Sequence, residues 1–268
     1  MWVDTHCHLD AGEFSGENAA VAARAGEQCV SAIVIPAVER ANFAAVAQLA
    51  AQAGNCVYAL GIHPLYVPRA DESDLLALRV KVEQALGDKL FVAIGEIGLD
   101  LFVPELKTPE MQEKQEHFYA EQLKLARDFA LPVLLHVRRS QDLILKHLRR
   151  IKVPGGIAHA FNGSHQQAET FISLNFKLGF GGAMTFPRSL QIRRLAAEMP
   201  ASAIVLETDA PDIAPAWIQP GVNTPDQIPR IGEVLAELRG MSASQAAQLT
   251  SANALAALPR LASSGLLN

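Results

Sequence analysis

Short apolar runs alternate with longer amphipathic stretches from one end of the chain to the other. The runs lie at Trp2–His8, Ser31–Pro36, Cys56–Ile62, Phe91–Ile97, Pro132–Val137, Gly156–Ala160, Asn175–Phe180 and Ala203–Glu207. Several are continuous rather than alternating, as in Ala32-Ile33-Val34-Ile35, which suits parallel strands covered by helices. The intervening stretches carry helix signals. Thr108, followed by Pro109 and Glu110, predicts an N-cap with proline at the first helical position, opening a helix over Met111–Phe129. Ser242 with Gln245 predicts a capping box for the helix that runs to Leu258.

Eight such strand-then-helix units, with no Pro/Gly/Ser linker, low-complexity tract or charge run, predict one (β/α)8 TIM-like barrel spanning residues 1–268. An open doubly wound sheet is the alternative. No Gly-x-Gly-x-x-Gly follows any of the runs, so the usual cofactor argument for that fold is missing.

Composition narrows the picture in three ways. Half of the residues are hydrophobic and 19% are charged, which is ample for a large core. The formal net charge of −5 argues against a generic basic nucleic-acid binder, though not against an enzyme that handles phosphates through metals in a local pocket. The three cysteines, Cys7, Cys29 and Cys56, are too few and too irregular for a disulfide framework or a Cys-type zinc site. Cys29 and Cys56 sit beside apolar strand starts and are expected to be small core residues. Reduced thiols fit a cytoplasmic protein. No signal-peptide pattern opens the chain and no stretch of eighteen apolar residues occurs, so no membrane association is expected. Nor does any feature call for an obligate protein partner.

Functional groups of such barrels gather at the C-terminal ends of the strands, and the polar residues fall there. His6 and His8 close the first run, where side-chain alternation points both imidazoles one way and Cys7 the other. His63 follows the third run, Glu96 closes the fourth, His136 and His159 end the fifth and sixth, and Asp209 follows the eighth. His117, His147 and His165 fall within or at the start of helical stretches and receive no role. Imidazole plus carboxylate is the mixed set that zinc, manganese, nickel and, less readily, magnesium accept. Two ions held about 3.5–4 Å apart need a shared anion, and Glu96 can give one oxygen to each. Asp209, on the last strand, adjoins the first when the barrel closes and reaches the ion of His6 and His8. His136 and His159 hold the second ion. A water between the two ions is then the expected nucleophile, with Asp209 accepting its proton. Arg138 shares the face of His136 and reads either as a phosphate clamp or as a surface arginine. Glu207 either orients a ligand or pairs with a buried cation, and Asp100 reads as a turn residue.

With these residues placed, the chain resembles the TatD family of metal-dependent hydrolases, which includes deoxyribonucleases, within the broader amidohydrolase-like barrels. The marks are Asp4-Thr5-His6-Cys7-His8-Leu9, Gly61-Ile62-His63-Pro64, Gly95-Glu96-Ile97-Gly98-Leu99-Asp100, Leu131-Pro132-Val133 with His136, His159-Ala160-Phe161-Asn162-Gly163 and Glu207-Thr208-Asp209-Ala210-Pro211. The resemblance implies metal-ligand roles for His6, His8, Glu96, His136, His159 and Asp209, and a substrate contact, to a phosphate, for His63. Three positions depart from the commonest pattern: Leu65 stands where many relatives have histidine, Asn162 where threonine or serine is frequent, and Phe186-Pro187-Arg188-Ser189 is less basic than in some members.

The expected activity is divalent-metal-dependent hydrolysis of phosphodiesters at nucleic-acid ends, a 3′–5′ exonuclease-like DNase with two ions per subunit. The alternative is a small-molecule hydrolase for an amide, lactone or phosphoester. A non-catalytic scaffold is disfavoured, because six convergent polar groups are costly to bury without metal. Tyr66, Phe102, Phe161, Phe186 and Trp217 all fall in expected C-terminal loops, where stacking platforms for a single strand belong.

Overall fold

The computed structural model describes residues 1–218 and 221–267. Its eight strands, β1 (Trp2–Asp4), β2 (Val30–Pro36), β3 (Cys56–Leu60), β4 (Phe91–Asp100), β5 (Val133–Arg138), β6 (Gly156–Ala158), β7 (Phe176–Phe180) and β8 (Ile204–Leu206), form one sheet in sequence order. Every neighbouring pair is parallel. The ring is completed between β8 and β1. The Thr5 N–H donates to the Leu206 carbonyl at 3.0 Å and the Asp209 N–H to the His6 carbonyl at 2.9 Å. Beside them the buried Asp4 carboxylate accepts the Thr208 N–H at 2.9 Å and the Thr208 hydroxyl. This is the (β/α)8 barrel that the alternation of runs implies.

Helices α1 (Asn18–Glu27), α2 (Phe43–Ala53), α3 (Glu72–Ala85), α4 (Pro109–Asp128), α5 (Gln141–Arg150), α6 (His165–Ser173), α7 (Leu190–Glu198) and α8 (Ile228–Arg239) follow the strands in turn, and α9 (Ala243–Ala257) and α10 (Pro259–Ala262) end the chain. The two anticipated helix starts are present. The Thr108 side chain accepts the Met111 N–H, and Ser242 with Gln245 forms a reciprocal capping box. No helix among the described residues is long and apolar enough to cross a membrane.

The core has two parts. Outward-facing strand residues such as Ile33, Ile35, Tyr58 and Leu135 pack on the helices. Inside the ring, the smaller Val3, Ala32, Val34, Val57, Ala59, Val92, Ile157 and Val205 fill the lumen, together with Leu134. Ala254, Ala257, Leu258 and Leu261 from α9 and α10 join this inner cluster. Arg260 holds them at the N-terminal end of the barrel, donating to the carbonyls of Phe91 at 2.6 Å, Asp88 at 2.8 Å and Leu86 at 2.9 Å. The bottom is therefore plugged, and only the C-terminal mouth is left for chemistry.

Strand ends differ from the apolar runs, for a common reason. β1 stops at Asp4 rather than His8, β3 at Leu60 rather than Ile62, β6 at Ala158 rather than Ala160 and β8 at Leu206 rather than Glu207. Beyond Asp4 the chain bends at Thr5 and bonds alternately to two neighbours, Thr5 to Leu206 and Cys7 to Val34, so no continuous ladder forms. β4 instead runs past Ile97 to Asp100, paired in register with Arg138.

Cys29 is not the small core residue that its place beside an apolar run implies. It is exposed, at a left-handed φ of 64°, because the chain turns sharply there between α1 and β2. Cys7 and Cys56 are buried, and burial pushes the Cys56 thiol up to about 12. A disulfide-exchange reagent is therefore expected to titrate the single exposed thiol of Cys29 in the native protein and all three after denaturation. Rapid native reaction of Cys7 or Cys56 would contradict their burial in the core between strands and helices.

Candidate metal centre

Seven of the eight expected site residues, all but Arg138, converge at the C-terminal mouth around Glu96. The Gly95–Glu96 peptide is cis, and the Glu96 side chain is 1% exposed. Its two oxygens face two separate sets of imidazoles. Oε2 lies 3.1 Å from His6 Nε2 and 3.3 Å from His8 Nε2. Oε1 lies 2.9 Å from His159 Nε2, 3.0 Å from His136 Nδ1 and 3.3 Å from His63 Nε2. On the first side Asp209 adds Oδ1, 3.7 Å from both His6 Nε2 and His8 Nε2. Asp209 adopts a left-handed φ of 55°, a region that aspartate enters more readily than most residues.

This constellation fits bound cations. Five imidazole nitrogens crowd one carboxylate, whereas its oxygens offer roughly four lone-pair sites. His6 Nε2 and His8 Nε2 stand 3.3 Å apart, within reach of one shared ion. Three overlapping triads have ligand atoms within reach of a shared ion: His6–His8–Asp209, His6–Glu96–His159 and His63–Glu96–His136. His63 thus lies as close to the centre as the expected ligands do. Its Nδ1 accepts the Leu65 N–H at 3.1 Å, which leaves Nε2 aimed inward.

Charge balance leads to the same place. Burial alone would raise the pKa of Glu96, but His63, His6 and His159 hold it well below the usual carboxylate range. Burial depresses every imidazole here, yet the hydrogen bond and charge of Glu96 lift His8 to about 9, and Glu96 with Asp209 lifts His159 to about 10. His136 is raised against burial by Asp100 and Glu96. His6 falls to about 3 through burial and the positive His159, and His63 to about 4 through burial aided by His136. In a cation-free site, protons on His8 and His159 therefore face the buried charge of Glu96. Metal and proton compete for these atoms, and metal affinity falls as pH falls.

A parallel barrel with a histidine–carboxylate cluster at its C-terminal mouth defines a barrel of the metal-dependent hydrolase class. The chain belongs to the TatD-related DNase family, whose sequence profile matches residues 3–259. It is 42% identical over 248 residues to the uncharacterized metal-dependent hydrolase YjjV of Escherichia coli, covering 92% of this chain and 93% of that one. The crystal structure of the YjjV TatD homolog superposes with a TM-score of 0.90 at 40% identity, covering 96% of this chain and 98% of that one. A second relative, the 3′-5′ ssDNA/RNA exonuclease TatD of Edwardsiella piscicida, is 32% identical over 260 residues, covering 94% of this chain and 97% of the other.

Around the cluster lies a supporting layer that the sequence signals in part. Asp100 is the expected turn residue, its Oδ1 accepting the N–H groups of Phe102 at 2.7 Å and Val103 at 3.0 Å. It does more than turn the chain: Oδ2 sits 3.1 Å from His136 Nε2 and fixes which ring nitrogen faces Glu96. Glu207 packs behind His159, with Oε1 3.8 Å from Nδ1, and accepts the Ala160 N–H. Burial raises Glu207 to about 8. Gly179 makes room for it, since a Cβ there would lie 2.1 Å from Glu207 Oε2. Arg138 is half-exposed and reaches Asp100 at 3.8 Å rather than the centre itself. Phe161, expected as a rim aromatic, is 1% exposed and packs edge-on against Phe171 in the core.

Two buried glutamines of α4 carry the loops. Gln122 brackets Ile62, the residue before His63, accepting its N–H at 2.7 Å and donating to its carbonyl at 3.0 Å. Two turns earlier Gln115 accepts the Asp100 N–H and donates to the Leu106 carbonyl, both at 2.9 Å. In sequence both look like ordinary helix residues; only the tertiary packing shows that each closes a buried backbone gap. Gln122→Met keeps the volume but strands both Ile62 groups, at about 1–3 kcal/mol for each buried group left unpaired. Urea denaturation should show that loss, and a variant as stable as wild type would mean that the His63 loop is held by other contacts.

Proposed function

We propose that the protein is a two-metal phosphodiesterase that removes nucleotides from the 3′ end of DNA. The observation that carries this reading is the division of Glu96, one oxygen toward His6 and His8 and the other toward His136 and His159. His6, His8 and Asp209 would hold one divalent ion and His136 and His159 the other, with Glu96 shared. Zinc, manganese, nickel and magnesium are the candidates. Bound there, the ions supply Lewis acidity and a water acidified toward neutral pH.

The chain's own residues do the rest. Asp209 Oδ1 stands beside both nitrogens of the first set, where it can orient a water and take its proton. His63 Nε2 reaches the mouth from strand three and would contact a phosphate oxygen. Arg138 supplies positive charge at the rim. The named exonuclease relative supports nucleic acid as substrate. The net charge of −5 favours the second reading, a small-molecule amide, lactone or phosphoester hydrolase. Three free thiols support a reducing, cytoplasmic setting.

The test of the reaction is single-turnover hydrolysis of a short single-stranded DNA with saturating manganese. Asp209→Asn keeps the size and one oxygen but is a far poorer base, so the rate should drop by on the order of 10²-fold or more. Equal rates would refute the base role. No hydrolysis by wild type with any of the four metals would favour the small-molecule reading.

Metal content separates ligands from substrate contacts. Glu96→Gln should lose bound metal and nearly all activity, because the neutral amide cannot hold two cations together. His63→Ala should keep wild-type metal content while losing activity. Loss of a stoichiometric ion from His63→Ala, read by elemental analysis, would reassign that imidazole as a ligand.

A further inference from the structure

The rim between β4 and β5 carries a feature for which the metal cluster has no use. Phe102 is 40% exposed, and two guanidinium groups lie over its ring, Arg138 at 3.9 Å and Arg139 at 4.7 Å from the centroid. A guanidinium stacked on a phenyl ring is held in place through its plane, while its N–H edge stays free to donate.

The group is anchored from beneath. Asp100 and Arg138 are in register across the ladder, and the Leu101 N–H donates to the Arg138 carbonyl at 2.9 Å. The Ser140 hydroxyl donates to the Leu99 carbonyl at 2.6 Å. Arg139 has a left-handed φ of 56°, a backbone conformation that arginine adopts at a cost. Two adjacent cations are thus fixed together on rigid segments, although like charges repel. Among the described residues their one ion-pair contact is Arg138 Nη1 to Asp100 Oδ2 at 3.8 Å, and that oxygen is already bonded to His136.

The other side of the mouth is different. A cleft of about 440 Å³ between the loops after β2 and β3 is lined by Glu39, Arg40, Tyr66, Arg69 and Asp74. There each arginine is already engaged: Arg69 grips Glu39 through two bonds of 2.7 and 3.0 Å, and Arg40 reaches Asp74 at 3.4 Å. Between these two places, unspent positive charge therefore sits on the Phe102 side rather than in the cleft. Through Asp100 it lies one side chain away from His136 and the cluster.

The geometry points to Arg138, Arg139 and Phe102 as a subsite for the sugar–phosphate backbone, gripping the phosphodiester next to the one hydrolysed. Planar guanidinium edges match phosphate oxygens, and the stack on Phe102 orients them beforehand. This inference rests on the nuclease reading above.

The test uses the manganese-loaded protein and a fluorescent, phosphorothioate-linked single-stranded oligonucleotide, with anisotropy followed across a salt series. Replacing both arginines by glutamine should weaken binding about tenfold or more and flatten the slope of log K against log salt by about 0.7, the share of one phosphate on a single strand. Phe102→Leu should weaken binding while keeping the slope, because both charges remain. Arg139→Gly, which suits the left-handed backbone, guards against a folding artefact and should raise KM for the unmodified oligonucleotide more than it lowers kcat. Wild-type affinity and salt slope in these variants would overturn the subsite alone, with hydrolysis by wild type intact. Failure of wild type to cleave the unmodified oligonucleotide would overturn the nuclease reading, and the subsite with it.

Discussion

Burying a carboxylate under a ring of imidazoles is expensive, and Glu96 is held there by five nitrogens within 3.3 Å of its oxygens. Those nitrogens come from β1, β3, β5 and β6 or the segments that leave them, so they meet only if the sheet closes. The closing contacts lie next to the centre. Asp209 hands its N–H to the His6 carbonyl, and Asp4 ties Thr208 across the seam. Barrel closure and site assembly are therefore one event, and a defect in either is felt in both.

The outer layers follow from this constraint. His136 would be free to turn over if Asp100 did not hold its second nitrogen, and Asp100 is itself set by Gln115. His63 depends in the same way on the bond between Gln122 and Ile62. The helix that supplies both glutamines lies outside the barrel. It acts on the centre through the backbone of two loops.

Much of this was legible from residue order. Strand-end placement located His6, His8, Glu96, His136, His159 and Asp209 because a parallel barrel brings all strand ends to one rim. Apolar runs overshoot the true strands at β1, β3, β6 and β8, since most of the residues that leave the ladder to build the mouth are buried like those within it. Cys29 looked like a core residue by adjacency to β2, but a helix-end turn puts it outside. The supporting residues Gln115, Gln122 and Asp4 gave little signal, because their partners are backbone groups or residues far along the chain.

The plug made by α9 and α10 has a consequence for traffic. A lumen packed with side chains and sealed beneath by Leu258, Leu261 and the Arg260 bonds leaves no passage through the barrel. Whatever reaches the centre must enter and leave by one doorway. A polymer could not be threaded like a rope through a pulley; it would have to lie across the opening and dip its end inward. The severed piece would then stand between the centre and the next residue of the chain, so clearing the doorway would come before each advance.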